Sequence, residues 1–66
     1  MPLIEVKMTA GRSKEQKVQF MKEVTELASR VLECPKSAVT VIIDDSYQLD
    51  EWSVGGETWE EIISKE

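Results

Sequence analysis

Pro2, directly behind Met1, is the residue whose chemistry depends most on its place in the chain. Once Met1 is removed, a step that a small second residue favours, the proline nitrogen becomes a secondary amine with a free lone pair. Only that form is basic. A general base works best with a pKa near the operating pH, and an α-amino group starts at roughly 7.7 to 8.0. Partial burial and a nearby cation both disfavour the protonated amine and move its pKa down toward neutrality. Arg12 is the candidate for that cation, and an arginine just ahead of a helix can also grip a substrate carboxylate as a bidentate fork. Trp52, shortly before Gly55-Gly56, can wall an apolar pocket. Each has a plainer reading. Met1-Pro2 can simply start a strand, where proline is tolerated at the first position; Arg12 can be a solvated loop charge, and Trp52 interface packing.

Other chemistries lack their residues. The chain has no histidine and a single cysteine, Cys34, so neither a transition-metal site nor a disulfide is expected, and the familiar nucleophile and general-base arrangements are missing. Cys34, between a helix end and Pro35, reads as a packed residue. Gly55-Gly56 alone does not make a phosphate loop. Thirteen acidic against eight basic side chains give a net charge of −5, which argues against nucleic acid, whose binding is driven by clustered Lys and Arg. No apolar run approaches the roughly 20 residues needed to cross a bilayer, and no signal peptide is legible, so the expectation is a cytoplasmic protein without a membrane partner. One unpaired cysteine is compatible with a reducing compartment.

The elements that must hold Pro2 and Arg12 follow from periodicity. Residues 2 to 8 alternate, with Pro2, Ile4, Val6 and Met8 on one side and Leu3, Glu5 and Lys7 on the other, the period of a half-buried strand. Ser13 with Gln16 forms a capping box, so a helix is predicted from Lys14. Val18, Met21, Val24, Ala28, Val31 and Leu32 recur at three- and four-residue steps, with Phe20 and Leu27 widening the stripe. That helix must end before Pro35, which places the exit at Cys34-Pro35. Val39-Thr40-Val41-Ile42-Ile43 is β-branched and apolar on both faces, a strand for a parallel sheet covered on both sides. From Asp44 the chain turns acidic, and residues 52 to 63 read as a short hairpin or irregular tail with Trp52, Val54, Trp59, Ile62 and Ile63 apolar.

The fold class is therefore α/β: one β-α-β unit with a C-terminal hairpin, a single domain over residues 1–66. Such a short chain buries only about 60% of the surface its unfolded form exposes. With disulfides and metals lacking, partner subunits are the remaining source of stability, and the apolar tail is expected to dress a subunit interface.

Four blocks in collinear order carry a resemblance: Pro2-Leu3-Ile4-Glu5-Val6-Lys7, Gly11-Arg12-Ser13-Lys14-Glu15-Gln16-Lys17, Val39-Thr40-Val41-Ile42-Ile43 and Trp52-Ser53-Val54-Gly55-Gly56-Glu57. Together they resemble the 4-oxalocrotonate tautomerase family from residue 2 to about 57. The resemblance implies a homo-oligomer, in most members a hexamer, with active sites shared between subunits and no cofactor or metal. It implies keto–enol proton transfer on a small carboxylate such as a 2-hydroxy-dienoate. Pro2 takes the role of acid and base, Arg12 that of carboxylate ligand, and Trp52 the place of a phenylalanine that keeps the site apolar. One position departs from the pattern: Thr40 stands where well-studied members carry a second arginine. Loss of one donor aimed at developing charge typically costs ~3 kcal/mol, so a weaker tautomerase, or one for a differently shaped acid, is expected. Thr40 retains a hydroxyl donor, and Lys7, Arg30 or Lys36 of a neighbour are candidate replacements. Two alternatives stay open. One is a hydratase or dehalogenase acting on unsaturated acids, with Asp50 or Glu51 activating water; the other is an oligomeric module without catalysis.

Overall fold

Ser13 starts the long helix as its spacing to Gln16 requires. Its hydroxyl accepts the Gln16 N–H at 3.1 Å, and the Gln16 carboxamide oxygen accepts the Ser13 N–H at 3.0 Å. The computed structural model describes residues 1–65. In chain order its elements are β1 (Leu3–Thr9), α1 (Lys14–Leu32), β2 (Thr40–Tyr47), β3 (Ser53–Val54), β4 (Glu57–Thr58) and α2 (Trp59–Ser64), with single 3-10 turns at Lys36–Ala38 and Leu49–Glu51.

β1 and β2 pair in parallel, from Leu3 opposite Thr40 to Lys7 opposite Asp44. With α1 between them they form the expected β-α-β unit. The short antiparallel pair β3–β4 is the expected hairpin, closed by Gly55 and Gly56 at φ 64° and 86°. Positive φ at both central residues is the two-residue turn whose twist suits a hairpin.

Three boundaries differ from expectation. α1 stops at Leu32, not at Cys34-Pro35, because Glu33 enters the left-handed region (φ 54°, ψ 52°), and the Glu33 and Cys34 N–H groups both turn back to the Ser29 carbonyl. β2 runs four residues past Ile43, into the stretch where the chain turns acidic. Its two aspartates are accommodated individually: Asp45 accepts from Lys17 Nζ of α1 at 2.6 Å, and Asp44 accepts the Ser46 N–H at 3.1 Å. The tail after the hairpin is helical. Thr58 accepts the Glu61 N–H at 3.2 Å and donates to the Glu61 carboxylate at 2.9 Å, which caps α2.

The single chain has almost no interior. Among the described residues only Ala28 is fully buried, while Leu27, Val31, Leu32, Ile42 and Val54 stand 48% to 60% exposed. Ile42 in particular is uncovered, so one face of the apolar strand lacks the cover that its composition calls for. The radius of gyration is 14.9 Å, against about 11 Å for a compact chain of this length. A slab of 42 × 25 × 20 Å presenting that much apolar surface is the shape of a subunit.

Candidate active site

Pro2 is held by the sheet. Its carbonyl accepts the Thr40 N–H at 3.0 Å, the bond that begins the β1–β2 ladder. Pro2 is half-buried, whereas Met1 in front of it is 99% exposed. Thr40 is thus a neighbour of Pro2 within one chain, through its backbone, and its side chain is exposed.

Arg12 lies at the other end of β1. The chain leaves the strand with Ala10 N–H donating to the Tyr47 carbonyl at 2.8 Å, and Gly11, at φ 125°, makes the bend that only glycine adopts freely. Arg12 then borders a shallow depression of about 200 Å³ with Met8, Gln16, Lys17 and Phe20. Lys17 is engaged by Asp45, and Arg12 makes no ion pair among the described residues. Its guanidinium is the cation of this depression still available for a carboxylate. The bond from Lys17 holds the Asp45 carboxyl below its ordinary range, so that carboxylate remains ionised at neutral pH.

Trp52 stands at the same end. Its ring meets Tyr47 edge to face, with centroids 5.7 Å apart and planes at 78°. Its carbonyl accepts the Trp59 N–H at 2.6 Å, which ties the segment before the hairpin to the start of α2. Lys7 donates to the Tyr47 hydroxyl at 3.2 Å, and this bond, chiefly, raises the lysine pKa above its ordinary value.

One chain does not bring the four site residues together. Pro2 and Thr40 sit where the parallel strands begin; Arg12 and Trp52 sit where they end. A seven-residue strand rising about 3.3 Å per residue separates the two groups by roughly 20 Å. Glu51, one of the carboxylates considered for water activation, accepts the Gln48 N–H at 2.9 Å and serves its own turn. Cys34 is half-buried, and its carbonyl accepts from the Ser29 hydroxyl at 2.5 Å. No helix of the described residues is long and apolar enough to cross a membrane.

Comparison with known proteins decides the lineage. The family model described as "Tautomerase enzyme" matches residues 2–61. The chain belongs to the tautomerase family. A probable tautomerase of Streptococcus mutans is 49% identical over 45 residues, covering 68% of this chain and 74% of the relative. Among solved structures, TomN, a 4-oxalocrotonate tautomerase homologue of the tomaymycin biosynthetic pathway, is similar with a TM-score of 0.88 at 32% identity over 96% of this chain and 95% of that one. A heterohexamer 4-oxalocrotonate tautomerase from Chloroflexus aurantiacus gives a TM-score of 0.88 at 31% identity, covering 94% and 98%.

Beside the candidates Pro2, Arg12, Thr40 and Trp52, the structure brings forward Tyr47, which packs against Trp52. Two features obscured it. Simple alternation carries Tyr47 to the face of Val41 and Ile43, and the register shift that moves it, between Lys7 opposite Asp44 and Thr9 opposite Tyr47, is signalled only by Asp44-x-Ser46, an aspartate placed to bind its own backbone two residues on. Lys7, a candidate substitute cation from a neighbour, has Tyr47 of its own subunit as its hydrogen-bond partner in this fold.

Proposed function

We propose that this chain is a subunit of a homo-oligomeric keto–enol tautomerase, hexameric as in the resemblance above, whose base is the amine of Pro2. The observation that carries the reading is the pairing of a family match that begins at residue 2 with a Pro2 fixed to β2 while Met1 projects into solvent. Removing Met1 leaves the ladder intact and frees the nitrogen.

The chemistry conserves protons. The Pro2 lone pair takes the hydroxyl proton of a 2-hydroxy-dienoate, and the resulting dienolate spreads its charge along the conjugated chain. The protonated Pro2 then delivers that proton to carbon, giving the conjugated keto acid and restoring the amine. Arg12 holds a substrate carboxylate, and Trp52 keeps the site apolar, which weakens the protonated amine and strengthens each polar contact. Thr40, at the position from which an adjacent subunit contributes a second arginine in the family resembled, offers a neutral hydroxyl. Since Pro2 and Arg12 lie at opposite ends of β1, a working site takes Pro2 from one subunit and Arg12 with Trp52 from another. The exposed apolar faces of α1 and β2 support such an assembly. One neighbour in the structural comparison is a heterohexamer, and six subunits are the assembly we expect here.

The test is ketonisation of a 2-hydroxymuconate-like dienol by protein whose intact mass shows Met1 removed. A positioned general base contributes roughly 10²- to 10⁴-fold, so Pro2→Ala is expected to lose activity on that scale, and protein retaining Met1 to lose it likewise, both with the oligomer intact. Processed protein with no rate above buffer refutes the reading.

A further inference from the structure

We propose that Tyr47 is a positioning residue that sets the orientation of Trp52, and that Lys7 in turn fixes Tyr47. The inference rests on the reading of Trp52 as a wall of the site. It starts from the register. In a regular strand Val41, Ile43, Asp45 and Tyr47 share one face, and Asp45 does reach Lys17 of α1. Between Lys7 opposite Asp44 and Thr9 opposite Tyr47, however, β2 carries one residue more than β1, since Met8 is matched by both Asp45 and Ser46. The extra residue turns Tyr47 over to the face of Lys7.

Asp44 holds that bulge closed. Its carboxylate accepts both the N–H of Ser46 at 3.1 Å and its hydroxyl at 2.7 Å. Once turned over, Tyr47 is gripped at both ends. Lys7 Nζ donates to the phenolic oxygen at 3.2 Å. The ring meets Trp52 at 5.7 Å and 78°. An edge-to-face contact constrains tilt as well as distance, because the positive rim of one ring seeks the negative face of the other. The bond from Trp59 fixes the Trp52 backbone only. Tyr47 is the aromatic partner of the Trp52 side chain among the described residues.

The experiment compares the processed parent protein with Tyr47→Leu, Tyr47→Phe and Lys7→Met, reading the indole N–H resonance of Trp52, assigned through Trp52→Phe, beside KM and kcat for the dienol. Tyr47→Leu keeps apolar bulk without a ring. It is expected to move the indole resonance and raise KM roughly 2- to 12-fold, the range of one aromatic pair, with kcat nearly unchanged. Tyr47→Phe keeps the ring and restores most of the KM; Lys7→Met resembles Tyr47→Phe. Amide dispersion confirms that each variant is folded. The proposal is overturned if Tyr47→Leu leaves both the indole resonance and KM in place, or if Tyr47→Phe behaves like Tyr47→Leu. Should the parent show no ketonisation, the tautomerase reading alone fails, and the indole resonance then decides the role of Tyr47 by itself.

Discussion

Replacing Ser13 by alanine tests how closely the helix start and the substrate carboxylate are linked. Ser13 follows Arg12 directly, and its two reciprocal bonds with Gln16, at 3.1 and 3.0 Å, close the first turn of α1. Alanine removes the acceptor for the Gln16 N–H and leaves that group to water. Losing an N-cap of this kind costs about 1 kcal/mol per chain. In a domain of this size that corresponds to a fall in Tm of roughly 4 to 8 °C, measured by circular dichroism at fixed protein concentration. The functional consequence is separate. A frayed first turn loosens the backbone of Arg12, so KM for a carboxylate substrate rises while the proton transfer at Pro2, a residue of another subunit that Ser13 does not hold, keeps its kcat. Ser64→Ala, at the exposed end of α2, serves as the control. A Ser13→Ala protein with unchanged Tm and unchanged KM refutes the argument, and one that loses kcat instead shows that Arg12 is not where the carboxylate is held.

Further expectations concern acid stability and assembly. Asp45 is held below its ordinary 3.8, first by its bond from Lys17, so the unfolded chain binds the extra proton before the folded one does. Its contribution is full above 3.8 and lost as pH falls through the folded value; Asp45→Asn should flatten the acid limb of a stability–pH curve, with Asp44, lowered mainly by Ser46, supplying what slope remains. An acid limb identical in Asp45→Asn and parent protein excludes the ion pair as its source. Val31 and Leu32, 60% and 59% exposed in the single chain, should be covered in the oligomer. Val31→Ser with Leu32→Ser removes apolar area worth about 1 to 2 kcal/mol per side chain, counted from both subunits where the contact is two-fold, so sedimentation should show smaller species at micromolar concentration. Unchanged sedimentation places the interface elsewhere.

Much of the fold was legible because local signals agreed with one another. The alternation of residues 2 to 8, the box at Ser13 and Gln16, the stripe from Val18 to Leu32 and the Gly55-Gly56 pair each have a partner within a few residues, and each appears in the structure where its pattern requires. What escaped depended on long-range contacts or on short polar signals. The continuation of β2 past Ile43 needs Lys17, 28 residues away in sequence, to receive Asp45. The helix end at Leu32 turns on the left-handed geometry of Glu33, which an acidic residue does not announce. α2 did carry a signal, Thr58-x-x-Glu61, the same kind of cap as Ser13-x-x-Gln16, but the apolar Trp59, Ile62 and Ile63 around it suited a hairpin or irregular tail at an interface as well. The candidate site was legible as residue types and not as an arrangement. No pattern within the chain discloses that Pro2 and Arg12 fall at opposite ends of one strand.

That separation gives the central claim its most direct measurement. Pro2→Ala and Arg12→Ala proteins, each inactive or nearly so alone, are unfolded together and reassembled in equal amounts, and dienol ketonisation is measured against reassembled parent protein. If each site draws Pro2 from one subunit and Arg12 from another, random mixing leaves about a quarter of the sites with both groups intact, and activity returns to about that fraction. If both groups serve a site within a single chain, no mixture contains an intact site, and the mixed protein stays as inactive as its two components.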